Sequence, residues 1–124
     1  MRTFHFALPL VLLACTALPT GNAAIPSDAF SARINDEAQL IDVRTAGEFG
    51  SGHIPRAVNL DWAGGHFEGN ITTLDKARPV LLYCASGRRS AAANAYLRAN
   101  GFTDVVDLEG GITAWRSAGL PLEQ

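Results

Sequence analysis

The sequence lacks an excess of charge of either sign. Its 10 lysine and arginine residues stand against 12 aspartate and glutamate residues, which leaves a formal net charge of −2 at pH 7. Without a basic field over the surface, neither nucleic acid nor an anionic membrane is expected as a partner. Signs of disorder or of internal repeats are also missing, and 124 residues that are 48% hydrophobic predict one globular domain.

A long, unbroken hydrophobic run is missing as well. The apolar stretch Phe4–Leu18 is too short and too broken to predict a membrane span. It follows Arg2 and precedes a small-residue segment that ends at Ala24, which is the pattern of a secretory signal peptide. The sequence therefore predicts a cleaved leader over residues 1–24 and a folded domain over residues 25–124, exported to the periplasm or a similar compartment.

Two alternatives concern how this leader is processed. Cleavage after Ala23 leaves a small residue, Gly21, at the position three residues before the cut. The segment Leu12–Cys15 resembles a bacterial lipobox, in which Cys15 becomes a lipid-modified N-terminus. Contact with a membrane is expected only in that second case.

Cysteine is scarce, since the sequence has only two. Once the leader is removed, Cys84 is the one remaining thiol, so an internal disulfide cannot form even in an oxidising compartment. A lone thiol in such a compartment is a candidate reactive group. His66 has no partners at metal-ligand spacing and Cys84 has no second cysteine nearby, so we expect no metal site and no cofactor.

The remaining pattern alternates strands with helices. A chain of this kind predicts an α/β fold in which a small parallel sheet of four to five strands has helices on both faces. We predict strands over 39–43, 57–60, 80–83 and 104–108, helices over 28–34, 46–49, 90–98 and 112–117, and a loop with a helical turn over 62–73. Ser27 is expected to cap the first helix, and Asp107 and Glu109 only to cap the last.

Cys84 lies where a buried strand ends and a helix begins. The loop Ala85–Gly87 is made of small residues, so its backbone N–H groups and the first N–H groups of the helix can converge above the sulfur. Arg88 and Arg89 follow directly and add positive charge. This environment predicts a lowered pKa for the Cys84 thiol and therefore a thiolate nucleophile at neutral pH.

Several motifs in the same order resemble those of the rhodanese family of sulfurtransferases. The resemblance runs from Ala38 to Leu122 and rests on Leu40–Arg44, Glu48–Phe49, Gly52–Pro55, Ala57–Asn59, the loop Cys84–Ser90 and the segment Leu108–Trp115. It implies transfer of sulfane sulfur through a persulfide on Cys84. The loop residues Ala85, Ser86, Gly87, Arg88 and Arg89 would then bind the substrate.

Thiosulfate is a small dianion that such a loop can hold, and attack by the Cys84 thiolate would release sulfite. Cyanide or another thiol would then accept the sulfur. We expect Arg88 to carry the substrate's charge, whereas Arg89 either contacts the anion or braces the loop against Asp42 or Glu48.

Three further residues are expected to support the loop. Asp42 and Arg44 are interpreted as an ion pair at a strand end, and Ser90 as the first residue of the following helix. Two positions depart from the family pattern: Ala85 stands where many members have arginine, and Arg56 where many have glycine. The first departure removes a cation from the site and weakens the expectation of a preference for thiosulfate.

Two other functional classes fit the same loop. A phosphatase or arsenate reductase can use a similar cysteine cradle, but the phosphatase pattern has one more residue between cysteine and arginine than the four found here. A non-catalytic module that carries a persulfide or senses an oxyanion would also retain Cys84.

Overall fold

The computed structural model describes residues 24–124, which form a five-stranded, fully parallel sheet in the order β1-β5-β4-β2-β3. The predicted parallel α/β fold is confirmed. The strands are β1 (Ala24–Ile25), β2 (Gln39–Asp42), β3 (Val58–Asn59), β4 (Val80–Tyr83) and β5 (Val105–Leu108). The two-residue strand β1, which pairs Ala24 with Asp107, was not predicted.

Helices connect the strands and cover both faces of the sheet. They are α1 (Ser27–Ala32), α2 (Ala46–Gly50), α3 (Phe67–Asn70), α4 (Arg88–Ala99) and α5 (Gly111–Ser117), with a short 3-10 turn over Ile71–Thr73. The expected cap at Ser27 is wrong. Ser27 is already helical and buried, and Pro26 occupies the cap position without a side-chain hydrogen bond.

The sheet divides the core into two layers because alternate side chains of a strand point to opposite faces. Val80, Leu82 and Cys84 belong to the layer under α4, together with Val105. Leu81 and Tyr83 belong to the opposite layer, which also holds Ile112 and Trp115 of α5. All four residues of β4 are buried, so the centre of the sheet places the following cysteine on a rigid support.

The predicted leader, its cleavage after Ala23 or Ala24 and the lipobox at Cys15 concern a segment that lies almost wholly outside residues 24–124. The leader and the domain boundary therefore stay predictions. Among the helices that the structure describes, none is long and apolar enough to cross a membrane.

Candidate active site

Cys84 lies directly after β4, at the carboxyl end of the central strands, and is 1% exposed. The chain then turns sharply at Gly87, whose φ of 110° is a left-handed conformation that favours glycine. This turn directs the Gly87 N–H to the Cys84 sulfur, with 3.0 Å between N and Sγ. The helix α4 begins at the next residue, two positions earlier than the sequence predicts.

The surroundings of the sulfur favour the thiolate. Burial raises the pKa of the Cys84 thiol, but hydrogen bonds from the N–H and hydroxyl of Ser90 and from the N–H groups of Gly87 and Ser86 outweigh burial and lower it overall. The Gly87 bond is the best formed of these. The cradle therefore does two things at once, since it excludes bulk water and supplies donors to a negative sulfur.

The N-terminus of α5 orients this loop from the other side. The Ile112 N–H donates to the Cys84 carbonyl oxygen over 2.9 Å. Thr113 donates to the Ala85 carbonyl oxygen through its N–H, over 3.2 Å, and through its hydroxyl, over 3.0 Å. Because the carbonyl oxygens of the loop are held towards α5, its N–H groups are free to turn towards the sulfur.

Gly111 makes that close approach feasible. Its φ is +59°, and a Cβ at this position would lie 2.5 Å from the carbonyl oxygens of both Cys84 and Ala85. The sequence predicts the Gly110–Gly111 pair only as part of a family motif, and its close approach to the loop was not predicted. The signal was the pair of glycines before a helix, but its meaning depends on contact with Cys84 and Ala85, which lie in an earlier loop.

The two arginines of the loop point to different partners. Arg89 forms a two-pronged ion pair with the Glu48 carboxylate, at 2.8 and 3.0 Å, which raises the pKa of Arg89 and lowers that of Glu48 to about 2. Arg89 was expected to contact the substrate anion or to brace the loop against Asp42 or Glu48. The structure shows the brace against Glu48. The Arg88 side chain is exposed and makes no hydrogen bond or ion pair with any residue over 24–124.

Glu48 is itself held in place by α2. It forms a capping box with Thr45, in which each residue's side chain bonds to the backbone N–H of the other. The brace therefore joins the start of α4 to the start of α2. The three-residue spacing of threonine and glutamate is the signal in the sequence that could have predicted this cap.

Asp42, the last residue of β2, forms a buried ion pair with Arg44, with 2.7 Å between the closest atoms. Arg44 also donates to the Gly52 carbonyl oxygen over 2.7 Å, so the pair ties β2 to the loop after α2. None of these bonds reaches Cys84. The structure thus places Ser86, Gly87 and Ser90 against the sulfur. Of the other predicted loop residues, Arg88 is exposed and Arg89 pairs with Glu48, while Asp42 and Arg44 support the loop from behind.

Neither Asp107 nor Glu109 occupies the cap position of α5, which corrects the expectation made from the sequence. The cap position of α5 is Gly110, which has no side chain with which to cap the helix. Asp107 is instead buried on β5, where its carboxylate accepts a hydrogen bond from Asn94 of α4 over 3.0 Å. The parallel sheet, which the local sequence cannot show, turns this residue towards α4 and away from α5.

Known proteins resemble the chain over most of its described part. Residues 27–118 match the family model of the rhodanese-like domain. A sulfurtransferase of Allochromatium vinosum is 40% identical over 101 residues, covering 79% of this chain and 92% of the relative. The thiosulfate sulfurtransferase GlpE of Pseudomonas savastanoi pv. phaseolicola is 38% identical over 93 residues, covering 75% and 86%.

Solved structures agree with the sequence relatives. A rhodanese-related protein of Thermoplasma volcanium superposes with a TM-score of 0.72 at 29% identity, covering 81% of this chain and 96% of its own. The rhodanese-like domain of the Anabaena protein Alr3790 superposes with a TM-score of 0.73 at 26% identity, covering 81% and 77%. With its parallel sheet, its cysteine cradle and these relatives, the chain belongs to the rhodanese-like domain family.

Proposed function

We propose that the chain is a sulfurtransferase that moves sulfane sulfur from thiosulfate, or a similar anionic donor, to a thiol or to cyanide through a persulfide on Cys84. The observation that carries this proposal is the buried Cys84 sulfur, whose pKa is lowered within a ring of loop N–H groups. The relatives named sulfurtransferase support sulfur transfer as the class of reaction. Thiosulfate as the donor is a more specific proposal.

The chemistry has two steps. The Cys84 thiolate attacks the outer sulfur of thiosulfate, and as the new S–S bond forms, the old one breaks and its electron pair leaves with sulfite. An acceptor thiolate or cyanide then attacks the outer sulfur of the persulfide, and the Cys84 thiolate leaves. The N–H groups of Ser86, Gly87 and Ser90, which face the sulfur, would stabilise the outer sulfur between the steps.

Arg88 is the cation that we assign to the donor anion. Arg89 is already bound at both of its terminal nitrogens by Glu48. Arg88 extends from the first turn of α4 into solvent, so its guanidinium can meet a dianion as it enters the cradle. It would also supply the positive charge that Ala85, in place of the family's frequent arginine, does not.

We also propose that the chain is exported, on the pattern of its first 24 residues, with a lipid anchor at Cys15 as the alternative form. Mass spectrometry of the protein recovered from its native host separates the two forms. A mature N-terminus at Ala24 or Ile25 supports plain export, and a diacylated Cys15 supports the anchor. An intact leader on protein recovered from the cytoplasm contradicts both.

The experiment that tests the reaction compares the purified protein with Cys84→Ser. After thiosulfate treatment without reducing agents, the unaltered protein should gain the mass of one sulfur atom on Cys84, and cyanide should remove it with release of thiocyanate. Repeated turnover, measured as continuous sulfite release with cyanide present, separates an enzyme from a carrier loaded only once. Absence of a cyanide-removable adduct refutes the persulfide step, and phosphatase activity that depends on Cys84 overturns the reaction class.

A further inference from the structure

A small cavity of about 200 Å³ lies between α4 and β5. Its lining residues are Ala91, Asn94, Ala95 and Asp107. Ala91 and Ala95 are exposed on α4, so the cavity opens to solvent beside their methyl groups. Asn94 and Asp107 are buried, with exposed fractions of only 3% and 4%. The cavity therefore combines an apolar entrance with a polar, buried interior.

The carboxylate of Asp107 lacks part of the hydrogen bonding that its burial demands. Asn94 donates to one carboxylate oxygen, Oδ2, over 3.0 Å. The other oxygen, Oδ1, is buried and has no hydrogen-bond partner among residues 24–124. A buried carboxylate is costly unless donors compensate for the lost water. Burial accordingly raises the pKa of Asp107 more than the surrounding donors and the charge of Arg98 lower it.

The polar side chains of α4 on this side of the helix have other acceptors. Arg98 donates to the Asn94 side-chain oxygen over 2.9 Å and to a carbonyl oxygen of β5 over 2.7 Å. The Ser90 hydroxyl donates to the Gly87 carbonyl oxygen over 3.3 Å. The cavity is therefore the route by which a further donor can reach the carboxylate of Asp107.

We propose that this cavity binds a primary alkylammonium group, carried either by a small amine or by a lysine side chain. The ammonium group donates to Oδ1 of Asp107 and balances the charge of the carboxylate, while the alkyl chain packs against the methyl groups of Ala91 and Ala95. The terminal torsion of an aspartate side chain is soft, so the carboxylate can turn towards a donor in the cavity. The site goes beyond the proposed function and does not depend on the sulfur chemistry of Cys84.

The lining of the cavity favours this ligand over other cations. A guanidinium group binds a carboxylate best through both oxygens, but Asn94 already holds Oδ2. Calcium and magnesium ions need about six oxygen ligands or more, whereas the lining supplies one unpaired carboxylate oxygen. Sites for drug-sized molecules measure roughly 300 to 1,000 Å³, so a smaller cavity with one unpaired acceptor suits a single short chain that ends in a donor.

The first experiment titrates the unsubstituted protein with n-butylammonium and follows it by NMR. The readouts are the methyl signals of Ala91 and Ala95 and the side-chain carboxyl carbon of Asp107. We expect these signals to shift together with one dissociation constant, on the order of 1 to 10 mM. The methyl signal of Ala92, which is exposed on α4 outside the cavity, is the internal control and should stay in place. Absence of a saturable shift, or an equal shift at Ala92, overturns the proposal.

Two further ligands test the chemistry of binding without altering the protein. n-Butanol keeps the alkyl chain but lacks the charge, and n-butyltrimethylammonium keeps the charge but has no N–H group to donate. Each should bind at least about 10-fold more weakly than n-butylammonium, because neither forms a charge-assisted hydrogen bond to Oδ1. Equal binding of either ligand overturns the proposal, since the unpaired oxygen is then not what holds the amine.

Two pairs of variants then test the residues. Asp107→Asn should weaken n-butylammonium binding at least about 10-fold. Asp104→Asn makes the same charge change on an exposed residue just before β5 and should leave binding unchanged. Ala95→Leu fills the cavity and should also abolish binding, whereas Ala92→Leu makes the same change outside the cavity and should not. Unchanged binding in Asp107→Asn or in Ala95→Leu overturns the proposal.

A peptide arm identifies the source of the ammonium group. A short peptide with blocked ends and a single lysine presents the group as a partner protein would, and the same peptide with an acetylated lysine is its control. Tighter binding of the lysine peptide than of n-butylammonium supports the site and assigns it to a protein partner, whereas weaker binding supports it and assigns it to small amines. Equal binding of the acetylated and unmodified peptides overturns recognition of an ammonium group.

Discussion

Gly111→Ala should destabilise the protein in two ways, through backbone strain at a left-handed residue and through a steric clash with the loop after Cys84. A non-glycine residue in the left-handed region costs about 1 to 2 kcal/mol. At Gly111 the new Cβ would also meet the carbonyl oxygens of Cys84 and Ala85 at 2.5 Å. Relief of that contact moves α5 away from the loop and weakens the bonds from Ile112 and Thr113, each worth about 1 kcal/mol.

The expected loss in the free energy of unfolding is therefore about 3 to 4 kcal/mol, a large part of the total for a domain of this size. Gly119→Ala is the matched control. Gly119 has a φ of +72°, close to that of Gly111, but its Cβ would have no atom within 4 Å. Gly119→Ala should lower the free energy of unfolding only by the backbone strain, about 1 to 2 kcal/mol.

Urea unfolding followed by tryptophan fluorescence measures both variants against the unaltered protein. The alkylation rate of Cys84 at neutral pH reports the cradle separately, and it should fall in Gly111→Ala and stay unchanged in Gly119→Ala. If the two variants lose equal stability and keep equal alkylation rates, then contact between α5 and the loop does not set the geometry of the cradle.

Two further predictions concern the charged residues around the cradle. Glu48→Gln should lower the free energy of unfolding by about 1 to 2 kcal/mol at pH 7. This value is reduced for solvent screening because the Glu48 side chain is 34% exposed. Because the pKa of Glu48 is lowered to about 2, the contribution of the ion pair to the free energy of unfolding is complete above pH 4.5 and is lost as pH falls towards 2. The free energies of unfolding of the two proteins, measured in urea, should therefore converge near pH 2. A constant difference between them across that range refutes the ion-pair account. Arg88→Ala should lower kcat/KM for thiosulfate by about 10- to 150-fold, the equivalent of about 1.5 to 3 kcal/mol, without changing the unfolding midpoint. Unchanged kinetics in that variant, with loss of activity in Arg89→Ala despite a stable fold, would reverse the roles assigned to the two arginines.

The parts of the fold that the sequence predicts best are those set by local pattern. The apolar run Val80–Tyr83 predicts β4 with its observed bounds, because a fully buried parallel strand reads as continuous hydrophobic residues. The sequence predicts the start of α4 two residues late, because Arg88 and Arg89 are not typical of a helix N-terminus and the turn at Gly87 replaces a side-chain cap. The strand β1 has only two residues and carries too little pattern to be recognised.

The parts of the site that escaped prediction depend on residues that are distant in the chain. Arg89 and Glu48 are 41 residues apart, so only the packed fold could choose between Glu48 and a substrate anion as partner. Asp107 reads as a helix cap because glycines follow it, and its burial beside Asn94 appears only when β5 lies under α4. The loop itself was predictable, because strand, small residues, arginines and helix follow one another without a break.

Trp115 links the cradle to the deepest part of the molecule. Its ring packs edge-on against Phe30, with 6.3 Å between centroids, and its indole N–H donates to the Pro121 carbonyl oxygen over 2.8 Å. Because the same helix holds the loop carbonyl oxygens, the cradle is pre-organised, and an incoming anion meets donors that need no reorganisation. The loop after Cys84 is therefore held rigid in part by a core side chain outside it. Under the proposed function, loosening this anchor should slow sulfur transfer by letting the N–H donors of the loop lose their fixed orientation.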